Sequence, residues 1–185
     1  MQQTRVRFLG AGDAFCAGGR HQAGYLVESE QTSLLLDCGA TTLASLKREG
    51  IPPGVIDTVL ISHLHGDHFA GLPFLFLDFT YSELRTRPLC IAGPPGTAER
   101  VSALFGAMYS ELCKKPLPFR LEFIEMLPEK KLELGPVTVD PFRVPHQEKE
   151  LSRGLGGDLD GCRILYSGDT GWTEELGRHS DDTRL

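Results

Sequence analysis

Three histidines and one aspartate lie within positions 63–68 of the chain. Imidazole and carboxylate groups are the side chains that bind zinc-like divalent metals in proteins. Packed together without a cation, four such groups would repel one another and lose their hydration. We therefore predict that this segment binds metal through His63, His65, Asp67 and His68.

The spacing of these four residues favours a tight loop that can hold two ions. His63 and His65 alternate, so on extended backbone their side chains point the same way. Asp67 and His68 are adjacent, at the point where a strand gives way to a helix. The helical zinc motif His-Glu-x-x-His is excluded because Gly66 interrupts the pattern. Four ligands on such a loop can serve two metals, with two ligands each.

Strands and helices of ordinary length must position this loop. The apolar run 57–62 predicts the strand that delivers it. Other strands are predicted at 4–9, 24–28, 33–37, 89–92, 119–125, 136–144 and 162–166. Helical pattern is present at 41–49, in part of 69–85, at 97–112 and briefly at 172–177. Elements in this order predict an α/β protein with two packed sheets and outer helices.

Composition limits the classes of protein that fit. The chain has 185 residues, enough for one domain over 1–185 with its own core. Its apolar content is 41% and its charged content 24%, as in ordinary globular proteins. The net charge of −6 argues against a broad basic surface for nucleic acid. The negative net charge does not exclude an anion bound at a metal site, because bound cations dominate the local electrostatic field there.

Sequence features predict a cytoplasmic protein. No apolar run approaches the roughly 20 residues that a membrane span needs. The first five residues lack the apolar core of a signal peptide. The five cysteines are odd in number and dispersed, and no Cys-x-x-Cys pair exists, which favours reduced thiols.

Segment 63–68 has the His-x-His-x-Asp-His pattern of the metallo-β-lactamase superfamily. The wider segment 60–73 resembles its ribonuclease Z-like and phosphodiesterase-like branch. Further pieces agree in order, namely Phe8-Leu9-Gly10-Ala11-Gly12, Leu36-Asp37-Cys38-Gly39, Val144-Pro145-His146 and Tyr166-Ser167-Gly168-Asp169-Thr170. The resemblance covers nearly the whole chain, and it implies the αβ/βα sandwich of that superfamily, here short at the C-terminus.

The resemblance also implies how the ligands divide between two metal ions. The first ion would be held by His63, His65 and His146, the second by Asp67 and His68, and Asp169 would bridge them. Zinc is the expected metal, with two ions per chain, and manganese or iron also fit the donors.

Two more residues gain a role from the resemblance. Asp37, at the end of a predicted strand, is similar to the aspartate that braces the metal loop. Arg20, in a glycine-bearing loop, could meet a substrate phosphate by a forked contact, although a solvated loop arginine is an equal alternative.

One departure from the resemblance concerns the second ion. Members of the branch continue past the Ser-Gly-Asp-Thr segment to a late histidine at a strand end. The only histidine here after Asp169 is His179, whose neighbours do not match that setting. Either the chain is truncated or the second site is weak.

The predicted reaction is hydrolysis. Two cations sharing a water would make a metal-bridged hydroxide near neutral pH, and Asp67 could orient it and take its proton. A small anionic phosphodiester is the favoured substrate over long RNA, and a homodimer is compatible with the sequence. The alternatives are hydrolysis of a thioester, lactone or lactam, and a single-metal or non-catalytic binding protein of the same fold.

Overall fold

The computed structural model describes residues 4–146 and 152–180, and two β-sheets packed face to face form its centre. The strands are β1 (Arg5–Gly10), β2 (Gly24–Glu28), β3 (Ser33–Leu36), β4 (Thr58–Leu60), β5 (Leu89–Gly93), β6 (Leu121–Glu125), β7 (Leu132–Leu134), β8 (Val137–Arg143), β9 (Arg153–Leu159) and β10 (Cys162–Tyr166). The helices are α1 (Thr42–Arg48), α2 (Gly66–Phe69), α3 (Leu72–Tyr81), α4 (Thr97–Met108) and α5 (Glu174–Ser180).

The first sheet has six strands in the order β1-β2-β3-β4-β5-β6. Its first three strands pair antiparallel, and β3 to β6 pair parallel. The second sheet has the order β10-β9-β8-β7 and is antiparallel throughout. The expected αβ/βα sandwich is therefore the observed architecture.

Alternation along β3 shows how each layer is filled. Leu35 lies in a core with α1, α3 and α4, while Leu34 and Leu36 lie in a second core between the sheets. Since successive side chains of a strand point to opposite faces, one strand serves both cores. On the outer face of the second sheet, the ring of His179 in α5 stacks on Phe142 at 4.0 Å.

Two strands were not evident from sequence pattern. β7 is three residues long, too short for alternation to be recognised. β9 lies in the stretch 147–161, where its three glycines hide the apolar period. Residues 147–151 of that stretch lie outside the described residues.

Strand direction brings the candidate ligands to one edge of the sandwich. β3 and β4 are parallel, with Leu36 paired to Leu60, so Asp37 and the metal loop leave at the same edge. β8 and β10 both pair antiparallel with β9 and so run the same way. His146 follows β8 and Asp169 follows β10, hence these two also meet. No helix among the described residues has the length and apolar character to cross a membrane.

Candidate metal centre

The loop from Ser62 to His68 is fixed by backbone bonds to the segment after β3. The amide of Cys38 donates to the carbonyl oxygen of His68 at 2.7 Å, and the amide of Gly71 donates to the carbonyl oxygen of Cys38 at 2.8 Å. A Cβ at position 71 would overlap the carbonyl oxygen of Gly39, so only glycine permits this approach. The loop is thereby held in place by backbone bonds that do not involve its histidine side chains.

Asp37 is the acceptor around which the buried side of the loop is arranged. It is fully buried, and its φ of 56° lies in the left-handed region that Asp and Asn tolerate best among non-glycine residues. Its Oδ1 accepts from the Ser62 amide at 2.7 Å. Its Oδ2 accepts from the Ser62 hydroxyl at 2.7 Å, from Nδ1 of His68 at 2.7 Å and from the Tyr166 hydroxyl at 2.5 Å. This carboxylate therefore orients the loop, one imidazole and the end of β10 together.

The bonds of Ser62 set the tautomer of His63. The single hydroxyl proton of Ser62 is donated to Asp37, so the Ser62 oxygen accepts from Nδ1 of His63, 3.0 Å away. Nε2 of His63 then presents a lone pair, and it lies 3.0 Å from Nδ1 of His65. Nε2 of His146 lies 3.2 Å from that same Nδ1. Three imidazole nitrogens thus converge from two sheets.

The spacing of this first group suits a zinc ion. Ligands about 2.0–2.1 Å from a tetrahedral zinc lie about 3.3 Å from one another. The two contacts of 3.0 and 3.2 Å among His63, His65 and His146 are close to that value. The three residues could hold one metal ion together.

The second group combines imidazole and carboxylate. Nε2 of His68 lies 3.3 Å from Oδ2 of Asp169 and 3.4 Å from Oδ2 of Asp67. Asp37 accepts from Nδ1 on the opposite side of the ring, an arrangement typical of metal-binding histidines. His63, His68 and Asp169 also lie within reach of one shared ion, which places His63 beside both groups.

Electrostatics in the cluster follow from burial and from these carboxylates. Burial, with the positive charge of His68, lowers the pKa of His63 to about 4. Burial also acts to lower the pKa of His68, but the bonds to Asp169 and Asp37 outweigh it and raise this pKa to about 10. The bond to His68 lowers the pKa of Asp169. When no cation is bound, a proton on Nε2 of His68 partly neutralises the nearby carboxylates. The donor groups as a set are therefore suited to binding a positively charged ion.

Gly168 allows Asp169 to join the cluster from β10. Its φ is +58°, and a Cβ there would lie 2.9 Å from the carbonyl oxygen of Arg153 and 3.1 Å from Cβ of Ser62. The Asp169 side chain is 46% exposed, and its Oδ2 lies 4.0 Å from Nε2 of His146. Asp169 is therefore between the two groups, on their open side.

The structure brings together His63, His65, Asp67, His68, His146 and Asp169, while Arg20 and His21 bond other residues and belong to neither donor group. Nε of Arg20 donates to the carbonyl oxygen of Ala17 in its own loop, at 3.0 Å. Nδ1 of His21 lies 2.5 Å from the hydroxyl oxygen of Ser45. His179 packs on Phe142 and belongs to neither metal-type group.

Sequence reasoning missed four residues around the cluster, Ser62, Tyr166, Arg100 and Arg153. Nη2 of Arg100 donates to the carbonyl oxygen of Leu64, between two candidate ligands, at 3.0 Å. The amide of Arg153 donates to the carbonyl oxygen of Ser62 at 3.1 Å, which ties β9 to the loop. Only Ser62 carried a signal, since it directly precedes His63.

Comparison with known proteins gives one family match and several relatives. The family described as anti-Pycsar protein Apyc1 matches residues 4–184. The chain is 33% identical over 142 residues to a ribonuclease Z of Lachnoclostridium phytofermentans, which is 76% of this chain and 44% of that relative. It thus spans less than half the length of this curated relative.

Solved structures share the fold. The short form of human tRNase Z matches 96% of this chain and 74% of its own, with a TM-score of 0.79 and 26% identity. The metallo-β-lactamase fold protein YhfI from Bacillus subtilis matches 98% of this chain and 69% of its own, with a TM-score of 0.75 and 22% identity.

Proposed function

This chain belongs to the anti-Pycsar protein Apyc1 family and is a ribonuclease Z-like member of the metallo-β-lactamase superfamily, and from this we propose that it is a dinuclear zinc hydrolase of phosphodiesters. The observation that carries the proposal is the pair of adjoining donor groups, three imidazoles on one side and imidazole with carboxylate on the other. Manganese or iron would suit the same donors.

The proposed ligands are divided as the resemblance implies. His63, His65 and His146 would hold one ion, Asp67 and His68 the other, and Asp169 both. When bound, these cations would supply Lewis acidity, which would lower the pKa of a nearby water and polarise the phosphoryl oxygen.

The chain's own groups would complete the reaction. The Asp67 carboxylate, beside His68 and 10% exposed, would orient the attacking water and receive its proton. Asp37 would keep Nε2 of His68 facing the cluster by accepting the proton of Nδ1. Ser62 would do the same for His63 by accepting from its Nδ1.

We expect the first group to be better filled with metal than the second, because no late histidine is among the described ligands. Elemental analysis of the purified protein should find between about one and two zinc ions per chain. His146→Ala should lower this content by about one, whereas His179→Ala should leave it unchanged. A protein with no transition metal after growth in zinc would contradict the whole proposal.

The substrate we propose is a small anionic diester, such as a cyclic or short nucleotide, ahead of long RNA. The chain carries a net charge of −6, and only the region beside two cations would attract a phosphate. Hydrolysis of bis(p-nitrophenyl) phosphate, a thioester and a lactam at matched metal loading tests this choice. Turnover of the thioester or lactam, with none of any phosphodiester, would overturn it.

We also propose that Arg20 contacts the substrate phosphate. It is exposed, and only its Nε is used in the bond to Ala17, so the outer edge of the guanidinium can turn to a ligand. Arg20→Ala should raise KM for a small diester more than it lowers kcat, as expected for a uniform binding contact. Arg120→Ala is the matched control, because Arg120 precedes β6 and lies at the opposite edge of the sheet. Equal KM changes in both variants would remove Arg20 from the site.

A cytoplasmic setting is proposed as well. All five cysteines, Cys16, Cys38, Cys90, Cys113 and Cys162, are free thiols. Proteins of oxidising compartments more often pair theirs.

A further inference from the structure

One strongly exposed aromatic side chain lies close along the chain to a candidate metal ligand. Trp172, the single tryptophan of the chain, is 89% exposed. Single exposed apolar residues are common on protein surfaces, so exposure alone indicates nothing. What distinguishes Trp172 is that it lies three residues after Asp169, in a segment whose position is fixed.

One backbone bond anchors the segment just before Trp172, and a local bond to a side chain marks the start of α5 just after it. The amide of Gly171 donates to the carbonyl oxygen of Pro145, which directly precedes His146, at 2.6 Å. The amide of Glu175 donates to the Thr173 hydroxyl at 3.3 Å, where α5 begins. The backbone of Trp172 therefore cannot drift far from His146 and Asp169.

The backbone of Trp172 is close enough for its side chain to meet a ligand bound at the cluster. Consecutive Cα atoms are about 3.8 Å apart, so the Cα of Trp172 lies within about 11 Å of that of Asp169. Oδ2 of Asp169 is itself 3.3 Å from Nε2 of His68. A nucleotide holds its base one sugar away from its phosphate, a span that an indole at this position can meet.

Charge next to the ring favours a base over a phosphate. Glu174 and Glu175 stand in the first turn of α5, two and three residues after Trp172, and the pairing of Glu175 with Arg178 at 2.6 Å leaves a net negative charge there. Their carboxylates repel a phosphate but not a neutral base, so a ligand would place its phosphate at the cations and its base at the indole. Phe15 is equally exposed, but its loop is joined to the segment after β3 through Gln22, whereas Trp172 follows a candidate ligand, Asp169, along the chain itself.

We propose that Trp172 stacks on the nucleobase of the substrate and so selects nucleotide diesters over diesters without a base. This inference rests on the proposed function of the metal centre. Stacking of one base on an aromatic ring is sequence-tolerant, since every base has a π-face, and changes affinity by about 5- to 100-fold.

A fluorescence titration tests the contact directly, because the emission comes from one tryptophan. The zinc-loaded protein is titrated with a nucleoside 5′-monophosphate and, as the matched ligand without a base, with ribose 5-phosphate. We expect saturable quenching by the nucleotide only. Equal quenching by ribose 5-phosphate would overturn the proposal, and so would calorimetric binding of the nucleotide with unchanged emission.

Kinetics of Trp172→Ala give the second readout. With thymidine 5′-(p-nitrophenyl phosphate), KM should rise by about 5- to 100-fold with kcat nearly kept, while constants for methyl p-nitrophenyl phosphate stay unchanged. Trp172→Phe should recover part of the loss. Tyr81→Ala, at the end of α3 and 69% exposed, should match the wild type.

The two proposals fail in different ways. Equal KM increases for both substrates in Trp172→Ala would contradict stacking and leave phosphodiester hydrolysis intact. If the wild-type protein hydrolysed neither diester, the proposed function would fail, and the fluorescence titration would still decide whether Trp172 contacts a base.

Discussion

Asp67→Ala is expected to lower kcat for a phosphodiester by about 10²- to 10⁴-fold while the fold persists. The carboxylate would be both a ligand and the group that receives the proton of the attacking water, so its removal takes away two functions. The loop should survive, because Cys38 and Gly71 hold it through backbone bonds. Steady-state kinetics and thermal unfolding of the same preparation measure the two effects separately.

His21→Ala is the control for this experiment. His21 is the histidine nearest in sequence before the metal loop, but it bonds Ser45 and lies 3.3 Å from Nη1 of Arg48. Its replacement should leave kcat near the wild-type value. Large and equal losses in both variants would mean that the catalytic site has been misplaced.

Asp37→Ala should lower the free energy of unfolding by at least about 3 kcal/mol, more than any other substitution considered. It would leave the amide and hydroxyl of Ser62, Nδ1 of His68 and the hydroxyl of Tyr166 without their acceptor in a buried place. Alanine also fits the left-handed backbone of this position poorly. Metal affinity should fall about 10- to 100-fold, since the bond that orients His68 is lost.

Graded variants separate these causes. Asp37→Asn keeps a residue that tolerates the left-handed conformation and keeps one oxygen acceptor, so it should be less destabilised than the alanine variant. Tyr166→Phe removes one donor and should cost about 1 kcal/mol. Denaturant unfolding and zinc titration measure both quantities. Wild-type stability in Asp37→Asn and Asp37→Ala alike would show that the carboxylate does not organise the loop.

Strand prediction succeeded where the pattern was local. The alternation of β8 and the apolar runs of β3 and β4 were visible because each strand faces one or two cores over several residues. In β1 the alternating Val6 and Phe8 are exposed, so that pattern predicted the strand but not its buried face. β9 was not, since its glycines leave no side chains with which to display the period. The sandwich itself followed from resemblance, and its two sheets are observed.

Site prediction depended on distance along the chain. His63, His65, Asp67 and His68 fall in one loop, so their residue types and spacing were enough to indicate a metal site. His146 lies 81 positions after His65, Asp169 lies further still, and neither carried a chemical signal of its own. Their expected place came from resemblance, and the shared direction of β8 and β10 is the physical reason that they reach the same edge.

The sequence by itself determined the donor chemistry and the tight loop, because these depend on residue type and short spacing, and through resemblance it predicted the reaction class. Only the tertiary structure decided which groups orient the donors. Tyr166 meets Asp37 across 129 positions, and Arg153 reaches Ser62 from the other sheet. It also decided that Arg20 bonds its own loop and that the exposed Trp172 follows a residue bonded to Pro145. Such contacts depend on how two sheets pack, and no periodicity within either sheet contains that information.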